Sequence, residues 1–109
     1  MRLGDVAHAR AGDKGDVSQI SVIAYRAEDF VHLRAEVTPE RVRAHFGAMV
    51  QGAVERYELP QLGILNFVMR GALASGVTRS LALDAHGKCL GFVLLDMQIA
   101  DRGVSPLPA

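Results

Sequence analysis

Tryptophan is absent from this sequence, and aromatic residues make up only 6% of it. Proteins that bind single-stranded nucleic acid stack bases on aromatic side chains, so this composition gives little support to that function. Net charge is also lacking, because 12 basic side chains balance 12 acidic ones. The chain therefore lacks the broad positive field that nucleic acid or an anionic membrane requires, and any anion site must be local.

Disulfides, membrane-spanning segments and a signal core are missing as well. Cys89 is the single cysteine, so an internal disulfide is impossible, which fits a reducing compartment. No apolar run approaches about 18 residues, and residues 1–5 lack the apolar core of a signal peptide. These absences predict a cytoplasmic protein.

The sequence holds no pattern typical of a metal or cofactor site. The four histidines, at positions 8, 32, 45 and 86, share no close ligand spacing, and Cys89 has no cysteine nearby. We interpret Cys89 as a packing residue. His32 and His86 are expected to be exposed, and His45 is expected at a helix edge or in solvent. No metal and no cofactor are predicted.

What the sequence does have is enough apolar material for one core. Half of the residues are hydrophobic, and 109 residues is close to the common size of one domain. We predict a single domain over residues 1–100. Residues 101–109 contain Gly103, Pro106 and Pro108 and are predicted to be a disordered tail.

A charged, glycine-containing stretch at residues 8–16 is the strongest candidate site. Two glycines shape a predicted loop whose backbone N–H groups and cations can hold a carboxylate or phosphate. A plain turn, with Asp13 capping backbone groups and Lys14 in water, is the alternative. The predicted ligand- or partner-binding residues are Arg10, Gly12, Asp13, Lys14, Gly15 and Asp16, with Arg79 as a second anion contact.

A second hypothesis gives the same stretch a catalytic role. If the loop folds back on the strand before it, His8 and Asp13 form a histidine–carboxylate pair that can act as acid and base. A structural or surface histidine is the alternative.

The first half of the chain predicts two strands followed by two helices. Alternation over residues 3–10 places His8 and Arg10 on one strand face, and residues 17–25 form the next strand. Helical spacing then begins near Phe30. Thr38 is the predicted N-cap of the second helix, with Pro39 at its first position and Gly52 as its terminator. Val42, Phe46, Met49 and Val50 form the predicted apolar stripe of that helix.

The second half is less regular. Val54–Leu59 predicts an edge strand closed by Pro60, where Arg56 and Tyr57 are either solvated or anchors of a subunit contact. Residues 61–73 favour a helix, with a buried strand as the alternative. Alternation over residues 80–84, a hairpin turn at 85–88 and a strand over 89–99 complete the pattern. The sum is an α+β sandwich, a mainly antiparallel sheet with helices packed on one face.

Several motifs in this order resemble one known family. They are residues 8–15 (HARAGDKG), 41–46 (RVRAHF), 54–60 (VERYELP), 65–68 (LNFV) and 78–81 (TRSL). Together they resemble the small ferredoxin-like domain at the C-terminus of acyclic terpene utilisation protein A, the AtuA-like family, which also occurs as a separate chain. The resemblance implies a ferredoxin-like fold. It also implies a link to bacterial degradation of acyclic terpenes such as citronellol and geraniol, through coenzyme A thioesters.

The resemblance favours one of three functions. The first is an accessory subunit in acyclic terpene or branched-chain acyl-thioester catabolism, whose charged loop contacts a larger protein chain or an acyl-thioester ligand. The large N-terminal domain of the family is missing here, so its activity is not carried over. The second is a small free-standing enzyme that uses His8 and Asp13 on a small acid or thioester. The third is a structural homo-oligomer.

Overall fold

The computed structural model of the chain describes residues 1–14, 17–50, 52–70 and 88–101. Its centre is a four-stranded sheet in the order β1-β2-β4-β3, with every neighbouring pair antiparallel. The strands are β1 (Ala7–Lys14), β2 (Val17–Ala24), β3 (Val54–Leu59) and β4 (Ile64–Arg70). β1 and β3 are therefore the two edges of the described sheet.

Three α-helices among the described residues cover one face of this sheet. They are α1 (Phe30–Glu36), α2 (Pro39–Phe46) and α3 (Lys88–Leu95). The last of these packs on β1, and α2 lies against β3 and α3. This arrangement confirms the predicted α+β class, with an antiparallel sheet and helices on one side.

The core lies between the sheet and the helices, and strand alternation defines it. Alternate positions of β2 and β4 are buried, because successive side chains of a strand point to opposite faces. The helices close the core with residues such as Phe30, Leu33, Val42 and Leu90. The strand positions facing this core are Ala7, Ile20, Val22, Leu65, Phe67 and Met69, each fully buried.

The start of α2 matches its prediction, but its end does not. Thr38 Oγ1 accepts a hydrogen bond from the Arg41 N–H at 3.2 Å, and Pro39 takes the first helical position. The helix ends at Gly47, where φ is +57°, and not at the predicted terminator Gly52. Gly52 has another constraint: a Cβ there would lie 2.5 Å from the Arg70 carbonyl oxygen.

The favoured helix over residues 61–73 is wrong, since the segment from Ile64 to Arg70 is strand β4. This strand is paired on both sides, with β2 and with β3. A central strand with apolar residues on both faces shows no clean alternation, so its run also fits a helix. Leu65, Phe67 and Met69 face the core, whereas Ile64, Asn66 and Val68 are half-buried on the other face.

The predicted strand over residues 89–99 is also wrong, because its first part is helix α3. Leu90 and Leu94, one helical turn apart, are fully buried. Beyond the helix, the Leu3 N–H donates to the Met97 carbonyl at 2.8 Å and the Ile99 N–H to the Met1 carbonyl at 2.9 Å. The predicted strand over 80–84, the turn residues 85–87 and the tail from residue 102 lie outside the described residues, and Lys88 begins α3.

A cluster of polar contacts ties the two ends of the described chain together. The Met1 ammonium group donates to Asp101 Oδ1 at 2.8 Å and to the Ile99 carbonyl at 2.9 Å. Glu36 Oε1 accepts bonds from the Ala100 N–H at 2.8 Å and from Arg41 Nη1 at 2.9 Å. These two bonds lower the pKa of the Glu36 carboxyl below its ordinary value.

We expect Glu36→Gln to destabilise the domain near neutral pH by about 1–2 kcal/mol, because it weakens two charge-assisted hydrogen bonds. A carboxyl with a lowered pKa stabilises the fold above its unfolded pKa, and that contribution disappears as pH falls through the folded value. The unfolding free energies of the wild type and Glu36→Gln should therefore become equal in acid, which urea unfolding at several pH values would measure. Glu28→Gln, at an exposed ion pair with Arg26, is the matched control and should cost under about 0.5 kcal/mol. A stability difference between Glu36→Gln and the wild type that persisted in acid would contradict this role of the Glu36 carboxylate.

Candidate functional site

The face of the sheet opposite the helices carries most of the polar strand residues. In an antiparallel sheet, residues directly opposite one another form rows that cross the strands. One such row is polar from edge to edge, since the register aligns Arg10 with Ser21, Ser21 with Asn66, and Asn66 with Tyr57. We call these four residues the polar row. It draws one residue from each strand, so only the folded sheet assembles it.

The contacts within the polar row differ from one end to the other. Asn66 Nδ2 donates to Ser21 Oγ at 2.8 Å, which fixes the centre of the row. Tyr57, 54% exposed, donates its hydroxyl to Glu55 Oε1 at 3.2 Å. At the other end Arg10 is exposed, and it has no ion pair with any of the side chains that the structure describes, which do not include that of Asp13. A guanidinium in this position can bind a carboxylate or phosphate in a bidentate manner.

An apolar and aromatic row lies beside the polar row. The register aligns His8 with Ile23, Ile23 with Ile64, and Ile64 with Leu59. The His8 ring stacks on Tyr25, with 5.3 Å between ring centroids and an interplanar angle of 27°. The face thus presents an apolar strip next to hydrogen-bonding groups, a combination typical of binding surfaces.

The structure places His8 and Arg10 on the same strand face, as predicted. Most of the stretch predicted as a loop over residues 10–16 belongs to strand β1. The strand continues through Gly12, which is opposite Gln19, and ends at Lys14. A Cβ on Gly12 would meet nothing within 4 Å, so no close approach demands glycine there. Gly15, Asp16 and Arg79 lie outside the described residues.

The backbone separates the two residues of the acid–base hypothesis. His8 and Asp13 lie five positions apart on one strand, a rise of about 17 Å. In the register His8 is opposite Ile23, whereas Asp13 is opposite Ser18. A histidine–carboxylate pair needs hydrogen-bond distance, and this placement on one continuous strand gives the hypothesis no support.

Two buried polar atoms have no hydrogen-bond partner among the described residues. They are Nδ1 of His8, on the face of the polar row, and Oγ of Ser18, on the helix-covered face. A buried polar group without a partner is costly, so both atoms are points where a bond to another group would stabilise the protein.

The other predicted site residues have structural contacts or form no cluster. His45 Nε2 lies 2.6 Å from the Val93 carbonyl oxygen, and His32 Nε2 lies 2.6 Å from that of Ala100. Both rings are half-buried against the fold rather than free in solvent. Within residues 1–14, 17–50, 52–70 and 88–101, no group of His, Cys, Asp and Glu side chains could hold a metal ion.

Comparison with known families decides the identity of this fold. A family model described as the AtuA ferredoxin-like domain matches residues 1–100, which is nearly the whole chain. The chain belongs to the AtuA ferredoxin-like domain family. The predicted resemblance and the ferredoxin-like fold are thereby confirmed. No curated protein and no solved structure matches the chain.

In this AtuA ferredoxin-like domain, sequence reasoning missed most of the polar row. Alternation along residues 17–25 places Ser21 on the face opposite Ile20 and Val22, but Asn66 lies within the segment that the pattern favours as a helix. Had that segment been assigned as a strand, an Asn between Leu65 and Phe67 would have marked the open face. Among the helices that the structure describes, none is long and apolar enough to cross a membrane.

Proposed function

We propose that this AtuA ferredoxin-like domain is an accessory binding subunit in the catabolism of acyclic terpenes and related branched-chain acyl thioesters. In this proposal it works with a larger protein chain and contacts that chain, or an acidic group of its ligand, through the polar row and the adjoining β1–β2 hairpin. The family supplies the link to the pathway, and the sheet face supplies the chemistry of contact.

The observation that carries the proposal is the exposed Arg10 at one end of the polar row. Its charge has no ion-pair partner among the side chains that the structure describes, and the row continues through amide and hydroxyl groups to Tyr57. Arginine and tyrosine are among the side chains that most often anchor protein interfaces. The apolar row beside them adds area that loses contact with water when a partner binds.

The geometry supports binding better than catalysis. General acid–base chemistry needs a histidine within hydrogen-bond reach of the group that orients it. His8 instead stacks on Tyr25, far along the strand from Asp13. In this proposal the charged stretch predicted from the sequence meets an acidic surface of the partner or the anionic groups of a thioester ligand, with Arg10 and Lys14 as its cations.

We expect Arg10→Ala and Tyr57→Ala each to weaken partner binding about tenfold or more, because each removes an exposed anchor. The tagged domain would be used to recover its partner from source cells grown on an acyclic terpene alcohol. The recovered chain would then be purified, and its affinity for each variant measured by calorimetry.

Arg43→Ala is the matched control for this test. Arg43 is exposed on α2, in the helix layer, and donates to the Gly52 carbonyl at 2.5 Å. Its loss should leave partner affinity unchanged within about twofold. If all three variants bind equally well, or if no larger chain is recovered under growth on the terpene, the proposal fails.

A further inference from the structure

The two edges of the described sheet are protected to different degrees. On β3, Arg56 and Glu58 pair with each other and Arg56 also donates to the Arg34 carbonyl of α1, so charge and a helix end cover that edge. On β1, the corresponding positions next to α3 are Ala9 and Ala11. β1 does carry charged residues, at Arg10, Asp13 and Lys14, but no described element pairs with its outer edge. An unpaired strand edge offers its N–H and C=O groups to another strand.

The hydrogen-bond pattern shows which backbone groups of β1 face this edge. The Tyr25 N–H donates to the Val6 carbonyl at 3.0 Å, and the register continues this pairing along the hairpin. In an antiparallel ladder, alternate residues bond to the neighbouring strand and the others direct N–H and C=O away from it. Ala9, Ala11 and Asp13 therefore direct their backbone groups to the edge, where no described strand pairs with them.

An apolar groove lies along the same edge. It has a volume of about 450 Å³ and is lined by Ala9, Arg10, Ala11, Gly91, Phe92 and Leu95. A Cβ on Gly91 would lie 3.7 Å from the Cβ atoms of Ala9 and Ala11, so α3 approaches the strand closely. Phe92 is 70% exposed, the largest exposure among the exposed apolar side chains of the described residues.

We propose that β1 pairs antiparallel with β1 of a second copy of this chain, about a two-fold axis at Ala11. The two sheets then become one continuous sheet, and the two α3 helices lie side by side over the junction. Each copy supplies the groove and the exposed Phe92 ring at the same place. A two-fold interface requires such self-complementarity, because the same patch occurs on both partners.

Burial and charge select the register among the symmetric alternatives. An axis at Ala9 would require Ala7, which is fully buried, to pair with the second copy. An axis at Arg10 would place two arginines directly opposite each other, which is unfavourable. An axis at Ala11 places Arg10 opposite Gly12 of the partner subunit, where a side chain meets open space.

The first test is the oligomeric state of purified protein by sedimentation velocity. The wild type is expected at twice its 11.7 kDa chain mass. Phe92→Glu should raise the dimer dissociation constant at least about 30-fold, since it puts a charge into an apolar junction in both copies. Leu62→Glu, at a site 66% exposed away from β1, should leave the dimer intact. A monomeric wild type at high micromolar concentration would overturn the proposal.

The second test fixes the register and does not depend on Phe92. Proteins carrying Arg10→Cys or Gly12→Cys, each with Cys89→Ser, would be oxidised alone and as a mixture. Facing residues that do not exchange backbone bonds have Cα atoms about 4.5 Å apart, within reach of a disulfide. Only the mixture of the two variants should form a disulfide-linked dimer. Cross-linking of Arg10→Cys by itself, or of neither, would contradict the axis at Ala11.

Discussion

Phe67→Ala is expected to lower the free energy of unfolding by about 3–5 kcal/mol. Phe67 is fully buried on a central strand, opposite Ile20 on β2 and Arg56 on β3. Neighbouring strands hold its backbone on both sides, so they can close the resulting cavity only in part. Domains of this size are stable by about 5–15 kcal/mol, so the variant loses a large share of its margin. Urea denaturation followed by circular dichroism measures the loss.

Leu62→Ala is the control that separates a strand from a helix in this segment. A helical stripe would bury Leu62 together with Leu65, whereas in the fold Leu62 precedes the strand and is 66% exposed. Its truncation should change stability by less than about 0.5 kcal/mol. If Phe67→Ala does not fold, Phe67→Leu should still cost about 1–2 kcal/mol. Equal losses at positions 62 and 67 would contradict the assignment of β4.

Local signals predicted the order of elements in the first half of the fold, although β1 covers Ala7–Lys14 rather than residues 3–10 and Leu3–Asp5 form a 3-10 turn. The Thr38–Pro39 pair marks a helix start through one hydrogen bond and one fixed φ angle, and both features depend on adjacent residues. The alternation around Ile20 and Val22 predicts a strand with one buried face, which is what β2 has. Such signals suffice when an element is covered on one side only.

The two wrong assignments share a physical cause, which is apolar character on both sides of an element. β4 lies at the centre of the sheet, and α3 carries exposed Phe92 as well as buried Leu90 and Leu94. Neither segment shows a clean period, so hydrophobicity alone cannot separate strand from helix. Whether each segment forms a strand or a helix depends on the elements that it packs against in the fold. Those contacts cannot be read from a single sequence.

The candidate site likewise combines features visible in adjacent residues with features that depend on contacts between distant strands. Its charged residues were identifiable from the sequence, since His8 and Arg10 alternate with the alanines of residues 7–11. The polar row was not, because it needs the register of four strands to bring Arg10 beside Ser21, Asn66 and Tyr57. The position of β1 at one edge of the described sheet likewise became visible only from the strand order.

Arg56→Ala is expected to cost about 2–3 kcal/mol, an unusually large effect for a charged residue of an edge strand. Its side chain is only 15% exposed, and Nη1 donates to the carbonyl oxygens of Arg34 and Val37 at 2.7 and 2.9 Å. Carbonyls at the end of a helix have no intrahelical partner, so Arg56 satisfies groups that α1 leaves open. Urea unfolding and amide exchange over residues 30–37 measure the loss.

Arg34→Ala is the matched control, because Arg34 lies 3.8 Å from the same Glu58 carboxylate that Arg56 contacts at 3.1 Å. Arg34 is 45% exposed and combines this loose ion pair with a cation–π contact to the Phe30 ring, 6.0 Å from the ring centroid. Because both interactions are weak at an exposed site, its removal should cost under about 1 kcal/mol. Arg56→Lys keeps the charge but cannot reach both carbonyls with one planar group, and should recover less than half of the loss. If Arg34→Ala and Arg56→Ala lower the free energy of unfolding equally, the main contribution of Arg56 is its ion pair with Glu58 and not its hydrogen bonds to the end of α1. A larger decrease in unfolding free energy for Arg56→Ala would show that Arg56 stabilises the end of α1. An arginine held in that position on the helix-covered face is not available as an anchor for a partner.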